Sequence, residues 1–310
     1  MSESAPSRTS ILAAYAAIYL IWGSTYLGIR FAIETIPPFL MGGVRFMIAG
    51  AFLSAVMRMR GEPKPERIHW RSTAIIGAFL ILGGNGAVVW AEQFVPSGIT
   101  ALLVAILPFW IVLIEWLGPS RIRPSLGIAV GLIVGIAGIV VLVGPAAITP
   151  SGSPISGFLK GALVLNIGSL TWALGTIYSR HAILPKSAFV ATGMEMLCGG
   201  ALLTILSVMT GEPMRFDLAD VSARSIVGFI YLTAIGSLVG FTAYIWLLGH
   251  QPASRISTYA YVNPVVAVFL GWAIAGEPLT LRTLIAAAII VGAVALITTA
   301  RSSSPPREPG

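Results

Sequence analysis

The chain has 310 residues, of which 56% are hydrophobic and only 10% charged, and its mean hydropathy is +0.89. Soluble globular domains carry about a quarter charged residues, so this composition excludes one and divides instead into membrane spans of about 20 apolar residues. The net charge of +7 is spread over short loops, which points to membrane topology and away from nucleic acid, and the single cysteine, Cys198, excludes an intrachain disulfide or a cysteine-rich metal site.

Residues 1–10 read as a polar N-terminal tail. The first apolar segment, 11–30, carries Trp22, Tyr26 and Ile29 along one helical face. It lacks a small-residue cleavage site and is expected to be a retained span. The second, 38–58, holds Arg45 about two turns from its start. The third, 72–91, contains Gly83-Gly84-Asn85-Gly86, whose glycines allow close backbone approach or local unwinding around a mid-span amide. The fourth, 96–117, contains Pro108 and ends near Glu115, and the fifth, 125–144, carries Gly127, Gly131, Gly135 and Gly138.

The sixth segment, 158–179, places Ser169, Trp172 and Thr176 on one face. The seventh, 187–209, holds Glu195, and the eighth, 224–248, aligns Ser237, Phe241 and Tyr244. In the ninth, 252–275, Tyr259 and Asn263 lie one turn apart and Pro264 follows. The tenth, 279–300, is rich in small residues at Ala286–Ala288 and Gly292, and residues 301–310 form a Pro-rich tail expected to be disordered. Lipid cannot satisfy an exposed sheet edge, so helices are expected throughout. Connections such as 92–96 and 249–252 are short, which leaves any function to the bundle itself.

The pattern is written twice. Trp22–Ile33 (WGSTYLGIRFAI) recurs 150 positions later as Trp172–Ile183 (WALGTIYSRHAI). At the same offset Gly50-Ala51 recurs as Gly200-Ala201, Gly61-Glu62-Pro63 as Gly211-Glu212-Pro213, and Arg45 is matched by Glu195. Pro96 and Pro108 align with Pro252 and Pro264 at an offset of 156. An odd number of spans per copy turns the halves upside down relative to each other, the plan of many secondary transporters with a substrate site between the halves. With a cytoplasmic N-terminus, 13 of the 19 basic residues fall inside, five of them in 58–71. The expected architecture is an all-α membrane protein of ten transmembrane helices, built as two inverted five-helix repeats at 11–147 and 158–300, with both termini cytoplasmic.

No Gly-rich phosphate loop ending in Lys-Ser/Thr is present, so no ATP drive is expected from this chain. No Ser-His-Asp set, carboxylate pair or metal cluster can be assembled in the spans; His69, His181 and His250 lie at or beyond segment ends. Neither a cofactor nor a metal is expected. Ionisable residues within spans carry a functional hypothesis by default. Arg45 reads as an anchor for a substrate carboxylate and Glu195 as a proton-coupling acid, while capping or pairing within each half is the competing reading. Glu115 is placed to snorkel to the headgroups. The uncharged faces offer rings, hydroxyls and amides, which suits small, partly apolar or zwitterionic metabolites. Core packing or lipid contact competes for each aromatic, and a structural hydrogen bond for Asn85 and Asn263. Pro108 and Pro264, in corresponding helices, read as paired gating kinks or as static bends.

Trp22-Gly23-Ser24-Thr25-Tyr26, Pro37-Pro38, Gly43-Val44-Arg45-Phe46 and Gly84-Asn85-Gly86 carry a family resemblance in the first half. Gly168-Ser169, Trp172-Ala173, Glu195-Met196-Leu197, Gly236-Ser237, Tyr259-Ala260-Tyr261-Val262-Asn263-Pro264 and Gly276-Glu277-Pro278 carry it in the second. In this order and spacing they resemble the drug/metabolite transporter superfamily, in its EamA branch of bacterial inner-membrane exporters. The resemblance implies a central cavity formed by helices 1, 3, 4, 6, 8 and 9, with helices 5 and 10 peripheral. It also implies export of amino acids or related metabolites, and in some members of toxic cations. Related sugar-phosphate carriers clamp phosphate with basic residues, whereas here only Arg45 is deep in a span.

The reading that results is a bacterial inner-membrane, multi-pass carrier exporting amino acids by alternating access, without an ATPase subunit. No tightly bound ion is expected, because the only deep carboxylate is Glu195, outside the implied cavity. The alternatives are a proton-coupled exporter of drugs or quaternary amines and, from another class, an intramembrane enzyme or a helper subunit. A helper should expose the small-residue faces of the fifth and tenth segments.

Overall fold

The computed structural model describes residues 7–118, 124–143, 153–251, 256 and 258–302; Pro252, Arg121, Arg123, Arg255 and everything beyond Ser302 lie outside them. Every regular element among the described residues is helical. In chain order these are α1 (Arg8–Ala32), α2 (Pro38–Met59), α3 (Arg67–Gly77, continuing through Ala78–Asn85 and Gly86–Ala91), α4 (Ser97–Val104 and Leu107–Leu117) and α5 (Leu126–Val143). The second half holds α6 (Ser153–Ser179), α7 (Ala188–Met209), α8 (Ala223–Tyr231, Leu232–Val239 and Gly240–His250), α9 (Tyr259–Ala275) and α10 (Leu281–Ser302). Seven stretches are long and apolar enough to cross a membrane, within α1, α2, α3, α4, α6, α7 and α8; α5, α9 and α10 contribute shorter apolar helices. Since α10 runs to Ser302, the first two residues of the expected tail are helical.

Local chemistry sets the helix ends. The Ser7 hydroxyl accepts from Ser10 N at 3.1 Å to start α1, and Ser222 does the same for α8 through Ser225 N at 3.1 Å. Pro38 opens α2, where its missing N–H costs nothing. Just past the ends of α2, α7 and α9 stand Gly61, Gly211 and Gly276, with φ of 85°, 73° and 66°, a left-handed conformation that favours glycine. After each comes Glu-Pro, and two of these glutamates reach another helix. Glu212 accepts from the first amides of α2, Phe39 N at 3.3 Å and Leu40 N at 2.8 Å. Glu277 accepts from Ser97 N at 2.7 Å and Gly98 N at 3.0 Å, the start of α4.

Among the helix pairs that cross on glycine are α2–α7 and α5–α10. On α2 and α7, a Cβ on Gly50 would lie 2.7 Å from Gly193 O, and one on Gly200 would lie 2.9 Å from Gly43 O. Residue 43 is thus set against 200 and 50 against 193, so the helices run antiparallel. Their equivalents under the 150-residue offset exchange places, as a local two-fold axis requires. In the second pair, α5 lays Gly131 against Ile297 and Gly138 against Ile290 of α10. The small-residue face of α5 that a helper subunit would expose is therefore spent on α10, whereas Ala288 and Gly292 of α10 stay exposed, as do Ile133 and Val140 on the opposite face of α5.

Helices α3 and α8 each contain a π-helical stretch, Ala78–Asn85 and Leu232–Val239, at corresponding places in the two halves. Such widened turns are rare and concentrate at functional sites. The mid-span unwinding expected at the α3 glycines takes this form.

Candidate functional site

Trp22 on α1 is the centre of an aromatic group. Its ring centroid lies 5.4 Å from Phe241, 5.1 Å from Tyr244 and 5.1 Å from Tyr259, and the two tyrosines are 6.1 Å apart. The tilted and edge-on geometries are those that ring quadrupoles favour. Against the rings, Gly240 presents bare backbone, where a Cβ would lie 2.5 Å from the Trp22 indole nitrogen. The Asn263 amide is buried, and in the orientation that turns its nitrogen toward the neighbouring carbonyls it donates to Tyr19 O at 3.3 Å and Tyr259 O at 3.2 Å, tying α9 to α1. That is the structural role weighed for it from the sequence.

The other half repeats the motif. Trp172 on α6 lies over Gly84 of α3, where a Cβ would come within 2.5 Å of its ring. Each tryptophan therefore sits on a glycine of the opposite repeat, next to that repeat's π-helical stretch. Asn85 closes the stretch and brings in Arg45, which donates from Nη2 to Asn85 Oδ1 at 3.5 Å; the amide in turn donates to Leu80 O at 3.4 Å. The Arg45 guanidinium also stacks 4.2 Å over Phe46. Ser169 is buried with its hydroxyl unpartnered, whereas Thr176 bonds back to Trp172 O of its own helix at 2.9 Å. Phe241 links the two groups, since it also packs against the core of Phe46 and Ile81.

The remaining expected residues lie apart. Glu195 is half-buried on α7, where its carbonyl abuts Gly77 of α3. Glu115 pairs with Arg180, just past the end of α6, at 2.7 Å. Pro108 is not inside a continuous helix: α4 breaks at Ala105–Ile106, and Pro108 falls in the first turn of the second piece. Pro264 is inside α9, as its kink reading requires.

Two features escaped the sequence. Trp110 Nε1 donates to Asn166 Oδ1 at 3.1 Å, a polar link between α4 and α6. More consequential is Glu92, which follows α3 in what reads as a loop. It is 0% exposed and neither carboxylate oxygen has a partner, so Glu195 is not the only deep carboxylate. Arg30 Nη1 holds the Glu92 backbone carbonyl at 3.1 Å, and Arg30, Arg45, Glu277 and Tyr26 lie within electrostatic range of the side chain. Arg30 repeats as Arg180 at the 150-residue offset, the one signal that could have drawn attention to this end of α1.

A family model described as the EamA-like transporter family matches residues 8–144 and again residues 159–299. The chain belongs to this family. Membrane transport is accordingly its activity class. It is 39% identical over 289 residues to the uncharacterised inner membrane transporter YedA of Escherichia coli K12, covering 93% of this chain and 90% of that one. A WAT1-related chloroplast protein of Arabidopsis thaliana is 24% identical over 90% of this chain and 67% of its own. The transporter YoaV of Bacillus subtilis is 23% identical over 88% and 91%. A crystal structure covering 94% of this chain and 99% of its own superposes with a TM-score of 0.63 at 22% identity, a likeness of fold.

Proposed function

We propose that this EamA-family protein is a multi-pass carrier of the bacterial inner membrane that exports amino acids, aromatic and other neutral ones among them, or related small metabolites. Ten membrane spans in two inverted halves, with both termini cytoplasmic, give the frame. The observation that carries the reading is the pair of tryptophan-on-glycine contacts, Trp22 on Gly240 and Trp172 on Gly84, related by the repeat. They put an aromatic ring from each half where the halves meet, beside the two π-helical stretches.

Trp22, Tyr26, Asn85, Trp172, Thr176, Tyr244 and Tyr259 are half-buried, so the region keeps accessible surface within the bundle. Separation of the Trp22 group from the Trp172 group opens a site with ring faces for an apolar side chain. Asn85 and Ser169 supply polar contacts for a head group, and Arg45 supplies a positive charge. Rocking of the halves about the α2–α7 crossing, with the π-helical stretches, the α4 break at Pro108 and the Pro264 kink absorbing the change, exposes that site alternately to each side.

The test is uptake and exchange of a panel of labelled amino acids by liposomes containing only the purified protein. Saturable flux, reduced by Trp172→Ala or Asn85→Ala, supports the reading. Absence of flux for every amino acid, with and without a pH gradient, refutes it and turns attention to quaternary amines, for which the cluster of Trp22, Tyr244 and Tyr259 is also a suitable wall.

A further inference from the structure

Glu92 is buried with both carboxylate oxygens lacking a hydrogen-bond partner among the described residues. A carboxylate with no exposure and no hydrogen-bond or ion-pair partner is costly, and a group in that position binds a proton or a cation. The charged groups around it are known. From α1 come Arg30, whose Nη1 bonds the Glu92 backbone carbonyl, and Tyr26; from α2 comes Arg45, whose Nε is also buried without a partner among the described residues. From the segment before α10 comes Glu277, already occupied by the amides of α4. Helix α6 packs on Ala91 through Gly161 and leaves its Lys160 exposed. Two guanidinium groups are thus near the carboxyl, yet neither pairs with it.

We infer that the Glu92 carboxyl is a proton-binding group of the transport cycle, loaded in the packed state described here and unloaded when the α1–α3 end of the bundle opens. The inference rests on the transport reading above and extends it to proton coupling, in place of the expectation of a carrier without a bound ion. In the packed state the acid is neutral. Burial pushes it well above the ordinary carboxylate range and the Glu277 carboxylate adds to this, while Arg30 and Arg45 oppose. On opening, water and the Arg45 guanidinium reach the side chain, the carboxyl O–H bond breaks and the proton passes to water. The carboxylate left behind pairs with arginine.

Liposomes containing purified wild type, Glu92→Gln or Glu92→Asp are assayed for amino-acid exchange without a gradient and for accumulation under an imposed pH gradient. Wild type is expected to exchange and to accumulate. Glu92→Gln keeps exchange, which shows that it is folded, but loses most of its response to the gradient, and Glu92→Asp recovers part of it. Infrared spectra of the same proteins should show a protonated-carboxyl band at neutral pH in wild type that is lost on alkalinisation and missing in Glu92→Gln. An unchanged gradient response in Glu92→Gln, or a wild type whose flux ignores the gradient, overturns the inference, as does absence of the band. If no amino acid is exchanged, the transport reading falls, and the band alone still decides whether Glu92 carries a proton.

Discussion

Substitution of Gly50 by alanine tests the axis on which the two halves meet. The new Cβ would stand 2.7 Å from Gly193 O and 2.8 Å from Leu197 N, both backbone atoms that cannot rotate away. Relaxing the closer approach to the 3.4 Å of ordinary contact requires α2 and α7 to part locally by roughly 0.7 Å. A separation of that size forfeits a good part of the dispersion attraction along a close-packed seam, and overpacking of this kind costs about 1–3 kcal/mol. In membranes, where apolar burial contributes little to helix association, that packing is the main force available. Gly292→Ala on α10 is the control, because nothing lies within 4 Å of its added Cβ, and alanine's helix propensity favours it by up to about 1 kcal/mol. Reversible unfolding in mixed micelles should therefore rank Gly292→Ala at or above wild type and Gly50→Ala below it. Adding Gly193→Ala to Gly50→Ala should cost less than the two single effects summed, since both press on one crossing point. Equal stability of Gly50→Ala and Gly292→Ala would refute the close crossing.

Other expectations follow from single contacts. Glu277→Ala leaves the amides of Ser97 and Gly98 without their carboxylate, with Ser97 fully buried, so a loss of about 1–2 kcal/mol is expected in the same unfolding assay, and a smaller one for Glu277→Gln. Glu195→Gln should keep both exchange and the response to a pH gradient, because Glu195 lies on α7, which contributes no ring to the aromatic group; loss of the gradient response alone would move proton coupling from Glu92 to Glu195.

Much of the fold was legible because membrane helices announce themselves locally. Each of the ten apolar segments overlaps one helix, and the starts of α2, α7 and α10 fall within two residues of the expected positions. The repeat was legible too, since Trp22 and Trp172, or Gly50 and Gly200, sit at one fixed offset. Periodicity also found the faces bearing Trp22, Tyr244 and Tyr259, because one turn of helix brings such residues to the same side. It could not show that the Asn263 amide reaches a backbone carbonyl of α1, or that the glycines of α5 are spent on α10. Those facts belong to partners more than a hundred residues away.

Glu92 marks the limit most clearly. A charged residue just after a span, followed four positions later by proline, has the local pattern of a solvated turn. Its burial is a non-local result, since α1 contributes Arg30, α2 contributes Arg45, and the Gly276-Glu277-Pro278 segment folds over the start of α4. The same Glu-Pro signature that reads as a helix end at Gly211 and Gly276 also fastens those turns onto α2 and α4. Sequence patterns of this kind fix where a helix stops, but not what its next residue covers. In this chain the covered residue is Glu92, a buried acid whose carboxylate oxygens have no hydrogen-bond partner among the described residues.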